Sequence, residues 1–155
     1  MFDDWSLGIG AYIIMSSDPN IKVKVVFACL DWRLHPQIEQ FFSQNGGCDM
    51  CVTAGSVKDL IAPATQELFL KQISISKQLH NCQGVALTMH MDCGAYGGSA
   101  AFEYAAKETQ LCKSELVRAK AIVAARFPEL SVETWIIGLE HSGSGWNISP
   151  ERIDL

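Results

Sequence analysis

Ile21-Lys22-Val23-Lys24-Val25-Val26-Phe27-Ala28 runs straight into Cys29-Leu30-Asp31-Trp32-Arg33. The first eight residues are β-branched and apolar enough to read as a strand buried on both faces, the pattern of a parallel sheet. The arrangement recurs at Gly84-Val85-Ala86-Leu87-Thr88-Met89, which runs into His90-Met91-Asp92-Cys93-Gly94. In open α/β sheets, ligands collect beyond the carboxyl ends of the strands. Two thiols and an imidazole delivered to that edge are three ligands of a zinc site, with a fourth position left for water or a carboxylate.

Between and after these strands the chain alternates helix and strand. Leu34 to Phe42 reads as a helix, with Pro36 in its first turn, Ile38, Phe41 and Phe42 on one face, and Gly46-Gly47 as its stop. Asp49 to Thr53 reads as a short strand, followed by Ala54-Gly55-Ser56, where the glycine permits a close backbone approach. Residues 65–81 read as a helix. Residues 99–127 read as helical in two pieces, Ala100 to about Gln110 and Leu111 to Phe127, ended by Pro128. Val132 to Ile137 is a further strand, and Trp146-Asn147-Ile148 beyond the Gly143-Ser144-Gly145 turn can pair back antiparallel. A short helix over residues 10–16 and a turn at Ser16 to Asn20 precede the first strand. The expected fold is therefore α/β in three layers, a mainly parallel central sheet of four to five strands flanked by helices. A single domain over residues 1–155 is expected, since 155 residues suffice for one core and no repeat or linker divides them.

Composition excludes several classes. The net charge of -5 supplies no basic stripe for phosphates, which argues against nucleic acid. No apolar run approaches the roughly 18 residues of a membrane span. Met1-Phe2-Asp3-Asp4 has neither the positive n-region nor the apolar core of a signal peptide, so a cytoplasmic protein is expected. A chain with 48% hydrophobic and 19% charged residues often hides surface in an oligomer. Six cysteines in that compartment read as thiols or metal ligands rather than disulfides. Cys82 and Cys112 read as inert core residues. Cys48-Asp49-Met50-Cys51 has knuckle spacing but no second ligand pair, so it reads either as a redox pair or, more simply, as two cysteines entering a buried strand.

The chemistry concentrates in the two motifs. Cys29, His90 and Cys93 are the candidate metal ligands, and three strong ligands are the count of a catalytic rather than a structural zinc site. Zinc suits two soft thiolates and an imidazole better than the hard cations do. Asp31 lies two residues beyond Cys29, so in an extended segment it shares the face of the ligand. It can accept a hydrogen bond from a zinc-bound water, whose pKa falls to about 7, or displace that water as a fourth ligand. Arg33 can clamp Asp31 in bidentate fashion. His35 is either a proton shuttle or a solvent-facing residue at a helix start. His80 and His141 carry no legible signal.

Cys29-x-Asp31-x-Arg33 after the first strand and His90-x-x-Cys93-Gly94 after a later one resemble the β-class carbonic anhydrases. The resemblance covers most of the chain: Val52-Thr53-Ala54-Gly55-Ser56-Val57 is similar to the family's middle strand and Ala-Gly turn, and Val132 to Gly138 with the turn at 143–145 to its last strand and hairpin. It implies zinc held by Cys29, His90 and Cys93, and Asp31 with Arg33 as the catalytic dyad. It further implies a homodimer or homotetramer, and a lyase that hydrates carbon dioxide reversibly to bicarbonate through a zinc-bound hydroxide. Two other readings stay open. One is hydrolysis of carbonyl sulfide or carbon disulfide on the same fold. The other is a non-catalytic zinc protein in which Asp31 closes the metal site. The chain departs from the family in having no glutamine over residues 16–24, Val52-Thr53 in place of Arg-Asn, and the bulky Trp32 between the dyad members. Trp32, Val52 and Met91 are the expected pocket walls.

Overall fold

The computed structural model describes residues 21–44, 46–143 and 145–155. The expected helix over 10–16 and the turn after it lie outside the described residues. In strand β1 (Lys24–Cys29), Val25 and Phe27 enter one apolar cluster, Val26 and Ala28 the other. Both faces are covered, which is why Val25 to Cys29 is apolar throughout rather than at every second residue. β3 (Gly84–His90) is buried along its whole length for the same reason. The first strand begins at Lys24 rather than Ile21, which is left exposed outside the sheet.

The elements continue with α1 (Gln37–Ser43), β2 (Cys48–Thr53), α2 (Lys58–Ile61), α3 (Gln66–His80), α4 (Ala105–Arg126), β4 (Ser131–Ser142) and β5 (Gly145–Arg152). The sheet order is β2-β1-β3-β4-β5. Four strands are parallel and β5 returns antiparallel on β4. α1 packs Ile38 and Phe42 on one face, where Phe41 and Phe42 meet the Trp135 ring edge-on at 5.3 and 5.5 Å. The helices α2, α3 and α4 fill the other face with Leu60, Ile73, Leu116 and Val123. This is the expected three-layer α/β architecture. Leaving β1, the chain passes to β2 on one side, and its later return as β3 lies on the other. The β1–β3 junction is thus the switch point where the carboxyl ends of the strands open a crevice. Cys29 and His90 are the last residues of those two strands.

The long helix corrects the expectation for residues 99–127. It is one 22-residue piece, α4, beginning only at Ala105. Glu108, Cys112, Leu116, Ala119 and Val123 form one buried stripe at spacings of three and four across the supposed joint. No glycine or proline interrupts it there. Residues 99–104 are spent on a 3-10 turn at Ser99–Ala101 and on extended Phe102 and Tyr104. β4 and β5 are also longer than expected. The short α2 was not anticipated, since four residues carry too little periodicity to read.

β2 corrects a second expectation. It is the edge strand and only half-buried, not a buried one. Its period of two sends Cys48 to the α1 side and Cys51 to the α3 side. The two thiols therefore share no site. Cys82 and Cys112 are buried, and burial pushes both thiols up. Among the described residues, no helix is long and apolar enough to cross a membrane.

Candidate metal centre

The ligand atoms of Cys29, His90 and Cys93 all lie within 4.8 Å of one another, and all three residues are buried. The two sulfurs are 3.9 Å apart. Cys29 arrives at the end of β1, and its Sγ accepts the Gly55 N–H at 3.3 Å. Gly55 holds φ at +77°, and a Cβ there would stand 3.0 Å from the Ala95 side chain, so only glycine brings that N–H to the sulfur without strain. His90 arrives at the end of β3. Its Nδ1 lies 2.9 Å from the Met91 carbonyl, which can only accept, so Nδ1 carries the proton and Nε2 presents a lone pair. That Nε2 is buried and has no partner among the described residues. A buried acceptor without a donor is costly. A cation beside two thiols removes the cost.

Charge at the two sulfurs points the same way. The Cys93 thiol hydrogen-bonded to Cys29 draws the Cys29 pKa well down despite burial. The same contact, together with burial, drives Cys93 up. The two sulfurs stand 3.9 Å apart, and a metal held between them would displace their protons. The donor set, its burial and the orphaned imidazole nitrogen fit a tetrahedral zinc site with one position left over.

Asp31 and Arg33 stand beside this cluster, though Asp31 is not among the convergent donors. Asp31 caps a 3-10 turn at Trp32–Leu34, and its Oδ1 accepts the Arg33 backbone N–H at 3.0 Å. The Arg33 guanidinium grips the same carboxylate, Nε to Oδ1 at 3.0 Å and Nη2 to Oδ2 at 2.7 Å. These bonds hold the Asp31 carboxyl below the usual range, against the effect of burial. Its other edge reaches the second motif. Nη1 donates to Asp92 Oδ2 at 2.7 Å and Nη2 to the Asp92 carbonyl at 2.8 Å. The Trp146 ring of β5 lies 5.0 Å from the guanidinium carbon, a cation–π contact. The Gln37 side chain pins β5 in that place by bonds to the Trp146 carbonyl and the Ile148 N–H.

A cleft of about 590 Å³ opens at this point, lined by Cys29, Asp31 and Arg33 with Leu30, Trp32 and Ala54 among its walls. Trp32 stands 74% exposed at the mouth. Val52 and Met91, also expected as walls, are elsewhere. Val52 borders a groove between β2 and α3. Met91 turns under α4, where Thr109 Oγ1 reaches its sulfur at 4.0 Å. His35 sits half-buried with Nε2 3.1 Å from the Cys29 carbonyl, so Nε2 is the protonated nitrogen and the ring braces the end of β1. His80 bonds Asp49 at 2.7 Å, and His141 packs against Trp146 on the hairpin.

Two residues escaped the sequence reading. Asp92 was visible as a carboxylate inside His-x-x-Cys, but nothing in the spacing says that it shares Arg33. Glu108, buried on α4, accepts the Asp92 N–H at 2.6 Å and the Ser99 hydroxyl at 2.7 Å. Its role depends on where α4 crosses, which no local pattern encodes.

A family model described as "Putative carbonic anhydrase" matches residues 20–140 of this chain. An uncharacterized protein of Rickettsia conorii is 27% identical over 130 residues, covering 78% of this chain and 70% of that protein. One of Rickettsia bellii is also 27% identical over 130 residues, covering 78% and 79%. Among solved structures, a carbonic anhydrase from Glaciozyma antarctica superposes with a TM-score of 0.48 at 17% identity, over 79% of each chain. A β-carbonic anhydrase of Aspergillus fumigatus does so with a TM-score of 0.47 at 14% identity, over 87% of this chain and 76% of that one.

Proposed function

The chain belongs to this carbonic anhydrase family, and on that premise we propose that it is a zinc lyase converting carbon dioxide and water to bicarbonate and a proton. The observation that carries the reading is the convergence of Cys29, His90 and Cys93 on an unpartnered, buried Nε2 beside the Asp31–Arg33 pair. Cys29 Sγ, Cys93 Sγ and His90 Nε2 would hold the zinc. A bound zinc acts as a Lewis acid and lowers the pKa of water to about 7.

The protein's own groups supply the rest. Asp31, kept ionised by Arg33, is an acceptor at neutral pH and orients a hydroxyl proton toward its carboxylate. Arg33 is fixed by both carboxylates and by Trp146, so the dyad is set before substrate arrives. Leu30, Trp32 and Ala54 give the cleft apolar walls, which suit a small uncharged linear molecule and let the charged product leave. Because Arg33 occupies both Asp31 oxygens and Asp31 stands outside the convergent donors, this arrangement supports an open fourth position over one closed by that carboxylate. The exposed Leu30 and Trp32 at the cleft mouth support a homodimer or homotetramer.

Stopped-flow hydration on protein carrying one zinc per chain tests the activity. A zinc-dependent rate that rises between about pH 7 and about pH 8.5 is expected, as a water of pKa near 7 loses its proton. Fully zinc-loaded protein with no rate at either pH overturns the lyase.

A further inference from the structure

The turn that carries two of the three ligands is held from beneath by a residue outside both motifs. Between His90 and Cys93 the backbone reverses through Asp92, at φ +58° in the left-handed region. An aspartate visits that region less readily than glycine, and hydrogen bonds around it offset the cost. Here the compensation is complete. The Asp92 N–H donates to Glu108 Oε1 at 2.6 Å, its carbonyl accepts from Arg33 at 2.8 Å, and its Oδ1 accepts the Ser99 N–H at 2.9 Å. Glu108 Oε2 takes the Ser99 hydroxyl at 2.7 Å, so one carboxylate clasps both ends of the loop from Asp92 to Ser99. Glu108 is 3% exposed and sits one turn into α4, on the buried stripe of that helix. The loop is also closed on itself: the Gly98 N–H bonds the Cys93 carbonyl at 2.9 Å. A Cβ on Gly98 would stand 3.1 Å from Asp92 Oδ1.

We propose that Glu108 is a positioning residue of the metal centre: by accepting from the Asp92 N–H and the Ser99 hydroxyl, it holds the left-handed turn that aims His90 and Cys93 at a common point. The proposal rests on the metal-binding reading of Cys29, His90 and Cys93. Through Asp92 the same hold reaches Arg33, and so both motifs are set from α4. Outer partners that orient ligands are worth about 10- to 100-fold in metal affinity. Glu108 works by accepting hydrogen bonds at fixed places. Glutamine in its place keeps an oxygen for the Asp92 N–H and turns its amide to the Ser99 oxygen, whose hydroxyl rotates to accept.

The test uses full-length protein loaded with cobalt(II), read by its visible absorption, with affinity taken from competition against a chromophoric chelator. Glu108→Ala is expected to lower affinity by about 10- to 100-fold and to alter the cobalt bands. Glu108→Gln is expected to restore both close to wild type. Leu116→Ala, on the same buried stripe of α4 but away from the turn, destabilises the helix packing and is expected to leave the cobalt bands unchanged. Where Glu108→Ala does not fold, Ser99→Ala removes one of the two donors and is expected to give a smaller shift of the same bands. Wild-type spectrum and affinity in Glu108→Ala, or in Ser99→Ala where that variant stands in for it, overturn the proposal. So does a Gln variant as defective as the Ala variant, or an equal spectral change in Leu116→Ala. Carbon dioxide hydration by the zinc-loaded wild type is scored separately. A missing rate with the Glu108 effects intact sinks the lyase and supports the positioning role.

Discussion

Asp31 makes bonds at every face that the protein presents to it: the Arg33 backbone N–H, Nε and Nη2. A neutral amide in its place keeps one acceptor for the capping bond but turns two donors toward a guanidinium that has none to accept with. Asp31→Asn should therefore lower kcat/KM for hydration by about 100-fold or more, the usual worth of a general acid–base group, while zinc stoichiometry stays at one per chain. Hydration unchanged in that variant, measured by stopped flow beside metal analysis, removes Asp31 from the chemistry. At this scale the candidate site was largely legible. Cysteine, histidine, aspartate and arginine have few other uses at such spacings behind buried strands. Asp92 was missed because it looks like any exposed turn carboxylate until Arg33 is seen to be shared.

Among the elements, the link from β2 into α2 contributes most to the site for its length. Gly55 follows the end of β2 and delivers its N–H to Cys29 Sγ at 3.3 Å. Lys58, the first residue of α2, reaches the Ala95 carbonyl at 2.7 Å and ties that link to the loop after Cys93. Gly55→Ala adds a methyl 3.0 Å from Ala95 Cβ and 3.2 Å from Lys58, at a φ of +77° that side chains resist. The expected result is a loss of roughly 1 to 3 kcal/mol of stability in denaturant unfolding of metal-free protein. Weaker zinc retention should accompany it, as the hydrogen bond to the sulfur is displaced. Equal stability and equal zinc retention in the variant would mean that the turn yields without cost. The same scale shows where pattern reading stops. β1, α3 and β3 were legible within a few residues because they are long enough for a period to declare itself and are bounded by Gly or turn residues. α4 was divided in error between Gln110 and Leu111, although its buried stripe passes from Glu108 to Cys112 across that point without a break.

For the whole molecule, the sheet formed by the described residues ends in two edges, β2 and β5. Beyond the cleft mouth, Val52 and Leu68 are 44% and 57% exposed along the β2 side. Open edges and exposed apolar side chains are surfaces that proteins cover. Sedimentation of the zinc-loaded protein should give a dimer or tetramer, and Trp32→Glu should shift it toward smaller species if the cleft mouth is part of the contact. A wild type sedimenting as one chain at micromolar concentration overturns the oligomer. The amino-acid sequence by itself determined the α/β class, the two strands that carry the motifs, and which residues are the candidate ligands, because burial on both faces and metal ligation each restrict residue type at fixed local spacing. Only the tertiary structure decided that Arg33 joins both motifs, that Trp146 returns from β5 to cover it, and that Glu108 holds the ligand turn. Those contacts span 59, 113 and 16 residues of chain. They depend on which strands are neighbours and where a helix crosses them, and neither is written in any local period.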